Sequence, residues 1–254
     1  MKPPESWREF WEGETPIYVN ERHKLLHYRM VARDILQVLA ELPEAGSRAG
    51  RPDGDGGAPP AFRPVVLDHG CGEALSAADI AARCERLYLC EAAASVRAKL
   101  VDRFAALDNV TVINPVGVAD IPEASLDLVV ANSLVQYLTK PEFASLLRLW
   151  RHGLKPQGRL LLADVPARGG SPVTDAAALL RFGWRGGFLG AALAGLARTA
   201  LSDYRKLRTE LGFASYDESE VFAILAEAGF TARRRHPNIG HNQARMAFLA
   251  SPEP

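Results

Sequence analysis

The chain has 254 residues, 48% of them apolar, which suffices for one α/β domain of ordinary size with a sizeable core. Lys plus Arg equals Asp plus Glu at 30 each, so no global positive field exists to hold DNA or RNA, and a nucleic-acid partner is not expected. Cys71, Cys84 and Cys90 form an odd set without Cys-x-x-Cys spacing, which argues against a disulfide framework or a zinc knuckle and fits a reducing cytoplasm.

The first residues, Met1-Lys2-Pro3-Pro4-Glu5, lack the apolar run of a signal peptide. Asn20 can cap a helix running to about Leu42, with Leu25, Tyr28, Val31, Ile35 and Leu39 on one face. Residues 1–43 therefore read as a helical cap. Residues 44–63 are dense in glycine and proline and read as a flexible linker. From 64 onward, short apolar strands alternate with helices. The strands fall at 64–68, 87–90, 110–113, 126–130 and 159–163, and the helices at about 74–83, 93–107 and 141–153. This predicts a doubly wound, mostly parallel sheet. After strand five come about fifty residues before a helix at 217–228, far more than an ordinary connection, so 168–215 is an insertion. Its longest uncharged stretch, Gly186 to Ala197, is too short and too rich in glycine to span a bilayer, although its amphipathic character leaves peripheral membrane contact open. Two final strands, about 230–236 and 244–249, are joined too closely for a crossover helix. They predict an antiparallel hairpin, giving seven strands with one reversed. The basic run Arg233-Arg234-Arg235-His236 reads as a solvated strand end.

The chemistry concentrates in Val65-Val66-Leu67-Asp68-His69-Gly70-Cys71-Gly72. An apolar strand ends in an acid, and two glycines follow at alternate positions. The glycines let backbone N–H groups approach a ligand. A carboxylate at the strand tip would repel a pyrophosphate but suits an ammonium group, which favours S-adenosylmethionine over a dinucleotide. A dinucleotide fingerprint would also want its third glycine at Leu75. Glu91 lies 23 positions after Asp68 at the end of strand two, where a carboxylate can accept from both ribose hydroxyls.

With Leu89-Cys90-Glu91, Ser125-Leu126-Asp127-Leu128-Val129 and Leu154-Lys155-Pro156-Gln157-Gly158 in order behind the glycine loop, the chain resembles class I S-adenosylmethionine-dependent methyltransferases over roughly residues 64–164. The resemblance implies a Rossmann-like sheet and S-adenosylmethionine as cofactor. It places Asp68, Gly70, Cys71, Gly72 and Glu91 at the cofactor. Asn132 would touch cofactor backbone atoms, and Tyr18 would join an N-terminal lid, with Trp7, Trp11, Arg22, His23 and His27, that covers the cofactor. Two positions depart from the family: Ala74 stands where a third glycine is common, and Gly117 where an acid often holds the adenine amine. The backbone of Val118, or a displaced Asp120, would take over that second task. Tyr137 and Trp184 are candidates to flank the acceptor, and His241, in the hairpin connection, is the candidate general base and acceptor contact. The acceptor itself is expected to be a small apolar or aromatic molecule, matching the insertion's aromatic and aliphatic content. A metal is not expected: His23 and His27 are one helical turn apart, but no third ligand accompanies them. Two other classes stay open: a catalytically silent protein of the same fold that binds cofactor or docks on a membrane or partner, and an NAD-dependent oxidoreductase, against which Asp68 and Leu75 speak.

Overall fold

The computed structural model describes residues 7–12, 18–42, 62–201 and 212–253. The expected linker lies almost wholly outside them. Helices α1 (Trp7–Glu12) and α2 (Glu21–Ala40) come first, and Asn20 caps α2 by accepting from the His23 amide. Then follow β1 (Val65–His69), α3 (Ala77–Ala81), β2 (Arg86–Cys90), α4 (Ala94–Phe104), β3 (Val110–Ile113), β4 (Leu126–Asn132), α5 (Lys140–Gly153) and β5 (Leu154–Val165). The chain continues with α6 (Pro172–Gly186), α7 (Leu189–Leu201), α8 (Glu218–Glu227), β6 (Phe230–Arg235) and β7 (Met246–Pro252).

The seven strands form one sheet in the order β3-β2-β1-β4-β5-β7-β6. Only β7 is reversed, antiparallel to both neighbours. The strand order turns back between β1 and β4, so a crevice opens beyond their carboxyl ends, where ligands of such sheets bind. Side-chain alternation separates two apolar layers. Val66, Leu87, Leu89, Leu128, Val130 and Leu161 pack on one face against α2, α3 and α4. Leu67, Val129, Leu160 and Leu162 pack on the other against α5 and α8, with Trp150 and Phe143 wholly buried. Each such side chain stabilises by roughly 1.5–3 kcal/mol. Helix α2 shares the first layer through Ile35 and Val38, so the N-terminal segment is held by the same core as the sheet.

Two local features differ from the sequence expectation. The first helix after the glycine loop begins at Ala77 rather than near 74, because Ala74 adopts a left-handed φ of 43° and the loop turns once more before the helix starts. Strand β5 begins at Leu154 rather than 159. Its register against β4 shifts between Leu126 and Leu128, so Lys155-Pro156-Gln157-Gly158 bulges out of the ladder. The bulge has a use: Lys155 Nζ reaches both carboxylate oxygens of Asp127 at 2.9 and 2.8 Å, and Asp127 also accepts from the Val65 amide at 2.8 Å. One acid thus pins the starts of β1, β4 and β5 together.

Candidate active site at the carboxyl edge of the sheet

A single large cleft, about 2230 Å³, lies at the crevice between β1 and β4. That exceeds what one drug-sized ligand needs, since such pockets run to about 1000 Å³, and it leaves room for a cofactor and an acceptor side by side. Asp68, His69, Gly70, Cys71, Gly72 and Glu91 line one part of it.

The loop is built from backbone. Gly70 and Gly72 have φ of 80° and 57°, the left-handed region open to glycine. A Cβ on Gly72 would also sit 2.7 Å from the Tyr28 hydroxyl. The Gly70 and Cys71 amides both donate to the Cys90 carbonyl, at 2.8 and 3.1 Å, which draws the loop over the end of β2. Glu91 then ties it down: one carboxylate oxygen accepts from the Gly72 amide at 3.0 Å and the other from the Ala93 amide at 2.9 Å. Each oxygen keeps a second lone pair, so Glu91 is oriented by the loop and still able to accept from a ligand.

Asp68 is 8% exposed and takes no hydrogen bond among the described residues. Burial, with the nearby Glu91 charge adding to it, raises its pKa to about 7. A buried carboxylate facing a cleft without a donor is costly unless a ligand supplies one. Beside it, His69 accepts from the Trp150 indole N–H through Nδ1 at 3.0 Å, and burial lowers its pKa to about 4, which keeps it neutral.

From the N-terminal side, α2 leans on this loop. The Tyr28 hydroxyl accepts from the Glu73 amide at 2.9 Å, and Lys24 pairs with the Glu73 carboxylate at 2.5 Å. Tyr18, also lining the cleft, hydrogen-bonds to the Tyr28 hydroxyl. Helix α1 bridges the opening. Glu12 accepts from the amides of Ala94 and Ser95 at the start of α4, at 2.6 and 3.3 Å. Trp7 and Trp11 pack edgewise or tilted on Tyr137, with centroids 4.9 and 5.4 Å away.

Comparison with known proteins agrees with this geometry. Residues 66–158 match the family described as methyltransferase domain. Residues 66–158 thus carry a methyltransferase domain. No curated protein sequence matches it. Among solved structures, a Leishmania major S-adenosylmethionine-dependent methyltransferase of the DUF858 family aligns over 96% of this chain and 80% of its own, with 12% identity and a TM-score of 0.58. Magnesium protoporphyrin IX methyltransferase from Synechocystis PCC 6803 aligns in two structures. The one with bound S-adenosylmethionine covers 98% of this chain and 89% of that one at 13% identity and TM-score 0.52. The one with bound S-adenosylhomocysteine covers 98% and 93% at 14% and 0.53. At such identities these likenesses concern the fold.

The other part of the methyltransferase cleft is made of side chains from distant segments. Asn132, Ser133 and Gln136 follow β4, Asp164 ends β5, and His241 and Arg245 come from the β6–β7 connection. His23 and His27 reach in from α2. Ser133 and Asp164 have φ of 54° and 55°, unusual for non-glycine residues, and the strain is held by a 2.6 Å hydrogen bond from Ser133 Oγ to Asp164 Oδ2. Asp164 N–H donates to Asn238 Oδ1 at 3.0 Å. Burial raises the Asp164 pKa, partly offset by Arg245 and the Ser133 bond. Arg245 is itself fixed by Asp175 at 2.8 Å. His241 stacks on Phe182 at 4.8 Å and meets His23 and His27 at 6.1 and 6.4 Å. Burial lowers all three histidines, His23 to about 4 and His27 to about 3, so the cluster is neutral. The side-chain carbonyl oxygens of Asn132 and Gln136 are buried without a partner among the described residues.

Of the residues expected from sequence, the cleft gathers Tyr18, Asp68, Gly70, Cys71, Gly72, Glu91, Asn132, Tyr137 and His241. It does not gather four others, of which Arg22 donates instead to the Gly186 carbonyl. Trp184 is 74% exposed on the outer face of α6, because Phe182 takes the inward position of that helix. Val118 is buried in the core beside Leu67 and Cys90, and Asp120 points to solvent outside the cleft. Tyr28, His69, Ser133, Asp164 and Arg245 line the cleft without having been singled out. For Asp164 a signal existed: like Asp68, it is an acid at the end of an apolar run, Leu160-Leu161-Leu162-Ala163. Among the described residues no group of three or more His, Cys, Asp or Glu is arranged to hold a metal. No described helix is long and apolar enough to cross a membrane.

Proposed function

We propose that this protein transfers the methyl group of S-adenosylmethionine to a small acceptor with an apolar or aromatic body. The cofactor brings a sulfonium whose methyl group is already activated. Asp68 faces its ammonium, Glu91 accepts from the ribose hydroxyls, and the loop from Gly70 to Gly72 lets the methionine portion lie against backbone. The observation that carries this assignment is the buried Asp68 carboxylate, which has no donor among the described residues and stands beside a glycine cradle that a Cβ would fill.

The acceptor lies against the second part of the cleft, among Tyr137, His241 and the carbonyls of Asn132 and Gln136. Its aromatic lining, with Trp7, Trp11 and Phe213, supports an apolar body. The chain's task there is positioning and exclusion of water, which supply much of the rate of such a transfer. Where the acceptor atom carries a proton, neutral His241 is placed to receive it. Titration calorimetry with S-adenosylmethionine and its demethylated product tests the first half of this reading, and no heat from folded protein defeats it. Radiolabelled methyl transfer into fractionated small molecules tests the second. Label entering only protein or nucleic acid would overturn the acceptor class.

A further inference from the structure

The Trp184 side chain, left outside the cleft, belongs to a second surface. Helices α6 and α7 pack on each other and on α2 through Phe182, Phe188, Ala192, Leu26 and Met30. Their outer faces repeat one pattern. On α6, Val173 and Trp184 fall at helical spacing along one stripe, 75% and 74% exposed, and Arg181 and Arg185 run beside them. On α7, Leu193 is 53% exposed among alanines.

No acid shares these outer faces. The only carboxylate on either helix, Asp175, is engaged inward by Asn242 at 2.7 Å and Arg245 at 2.8 Å. Arg181 and Arg185 form no ion pair among the described residues. The sequence composition leans the same way. Residues 168–215 hold seven Lys and Arg against three Asp and Glu, whereas the remainder holds 23 against 27.

We infer that the outer face of the α6–α7 hairpin docks on an anionic lipid bilayer. Spaced apolar side chains with a tryptophan, rimmed by arginines and free of acids, match the two layers of a membrane surface: acyl chains below and phosphate headgroups at the rim. The inference stands apart from the chemistry of the cleft.

The test is sedimentation of the full chain with vesicles of phosphatidylcholine alone or mixed with phosphatidylglycerol. Binding is expected to the mixed vesicles, to weaken as salt is added, and to be absent or slight on the neutral ones. R181Q and R185Q should each lower the partition coefficient roughly fivefold, near the ~1 kcal/mol that a basic residue contributes at such a surface. W184S should lower it further with the salt dependence kept. Acrylamide quenching gives a readout independent of variants, since Trp184 is far more exposed than Trp7 or Trp150, and mixed vesicles should protect it. No sedimentation with either vesicle, equal binding to both, or unprotected Trp184 overturns the inference. So does a concentration-dependent dimer lost in W184S, which would assign the face to self-association.

Discussion

The two halves of the cleft are built by opposite means. The half around Gly70 and Glu91 is local in sequence and made mostly of backbone: two consecutive strand ends, a loop between them, and amides captured by one carbonyl and one carboxylate. The half around His241 draws side chains from α2, from the ends of β4 and β5, and from the β6–β7 connection, and holds them by stacking and side-chain hydrogen bonds. Backbone construction serves a ligand that is always the same. Side-chain construction can be altered residue by residue without disturbing the sheet, and so suits the variable partner of the reaction.

Substitutions should separate the halves. The largest effect belongs to Gly72→Val, which puts a branched side chain into a left-handed position and against the Tyr28 hydroxyl. Cofactor binding by calorimetry should vanish, and a residual affinity within tenfold of the parent would show that the loop does not form the cofactor wall. Next, Glu91→Ala should weaken cofactor binding by roughly 1–3 kcal/mol, because two acceptor sites are lost. An unchanged Kd removes Glu91 from the ribose. By contrast, His241→Phe should leave cofactor affinity within about twofold, since stacking on Phe182 is preserved, while turnover of a protonated acceptor falls.

Buried groups of the cleft also differ in the sign of their response to pH. Asp68, raised to about 7, binds a proton in the native state that the unfolded chain has released, so its contribution makes stability fall as pH rises from about 4 to 7. His23 and His27, lowered to about 4 and 3, stay neutral in the native state while the unfolded chain takes up protons below about 6.5. Their contribution is full above 6.5 and is lost as pH falls through that window. His69, lowered to about 4, acts in the same direction, so three histidines oppose Asp68 and melting temperature should drop on acidification from 6.5 to 4.5. The drop should steepen in Asp68→Asn and shrink in His27→Gln, and a reversed order would contradict the assignment of the buried groups. Cofactor affinity should move the other way from Asp68's stability contribution: it rises with pH until about 7 and then levels, because the ammonium requires the ionised carboxylate. In Asp68→Asn that dependence should disappear. The smallest effect expected is a gain. Ala74→Gly relieves a left-handed alanine, a cost of roughly 1–2 kcal/mol, offset in part by unfolded-chain entropy, leaving about 0.5–1 kcal/mol in denaturant unfolding.

How far each feature was legible follows from the same contrast. Alternating short apolar strands and helices, the number of strands and the presence of one reversed strand rest on local periodicity and connection length, so they could be read along the chain; the lateral order of the sheet could not. The same holds for the meeting of Asp68, the glycines and Glu91 at one edge of the cleft, which depends on neighbouring strand ends and the loop between them. Trp184 was misjudged because aromatic content does not say which face of α6 turns inward; Phe182 won that place by packing on Phe188 and His241. The bulge at Lys155 was missed because its reason, Asp127 on another strand, is invisible from 155–158 alone.

The amino-acid order by itself determined the strands, the helices between them and the acidic glycine loop, since each is encoded by contacts or repeats a few residues long. Tertiary packing alone decided that Tyr28 rests on Gly72, that Asp164 and Ser133 brace each other in strained conformations, and that three neutral histidines meet across α2 and the hairpin. Those encounters join positions tens to hundreds of residues apart, and only the burial they share makes them favourable.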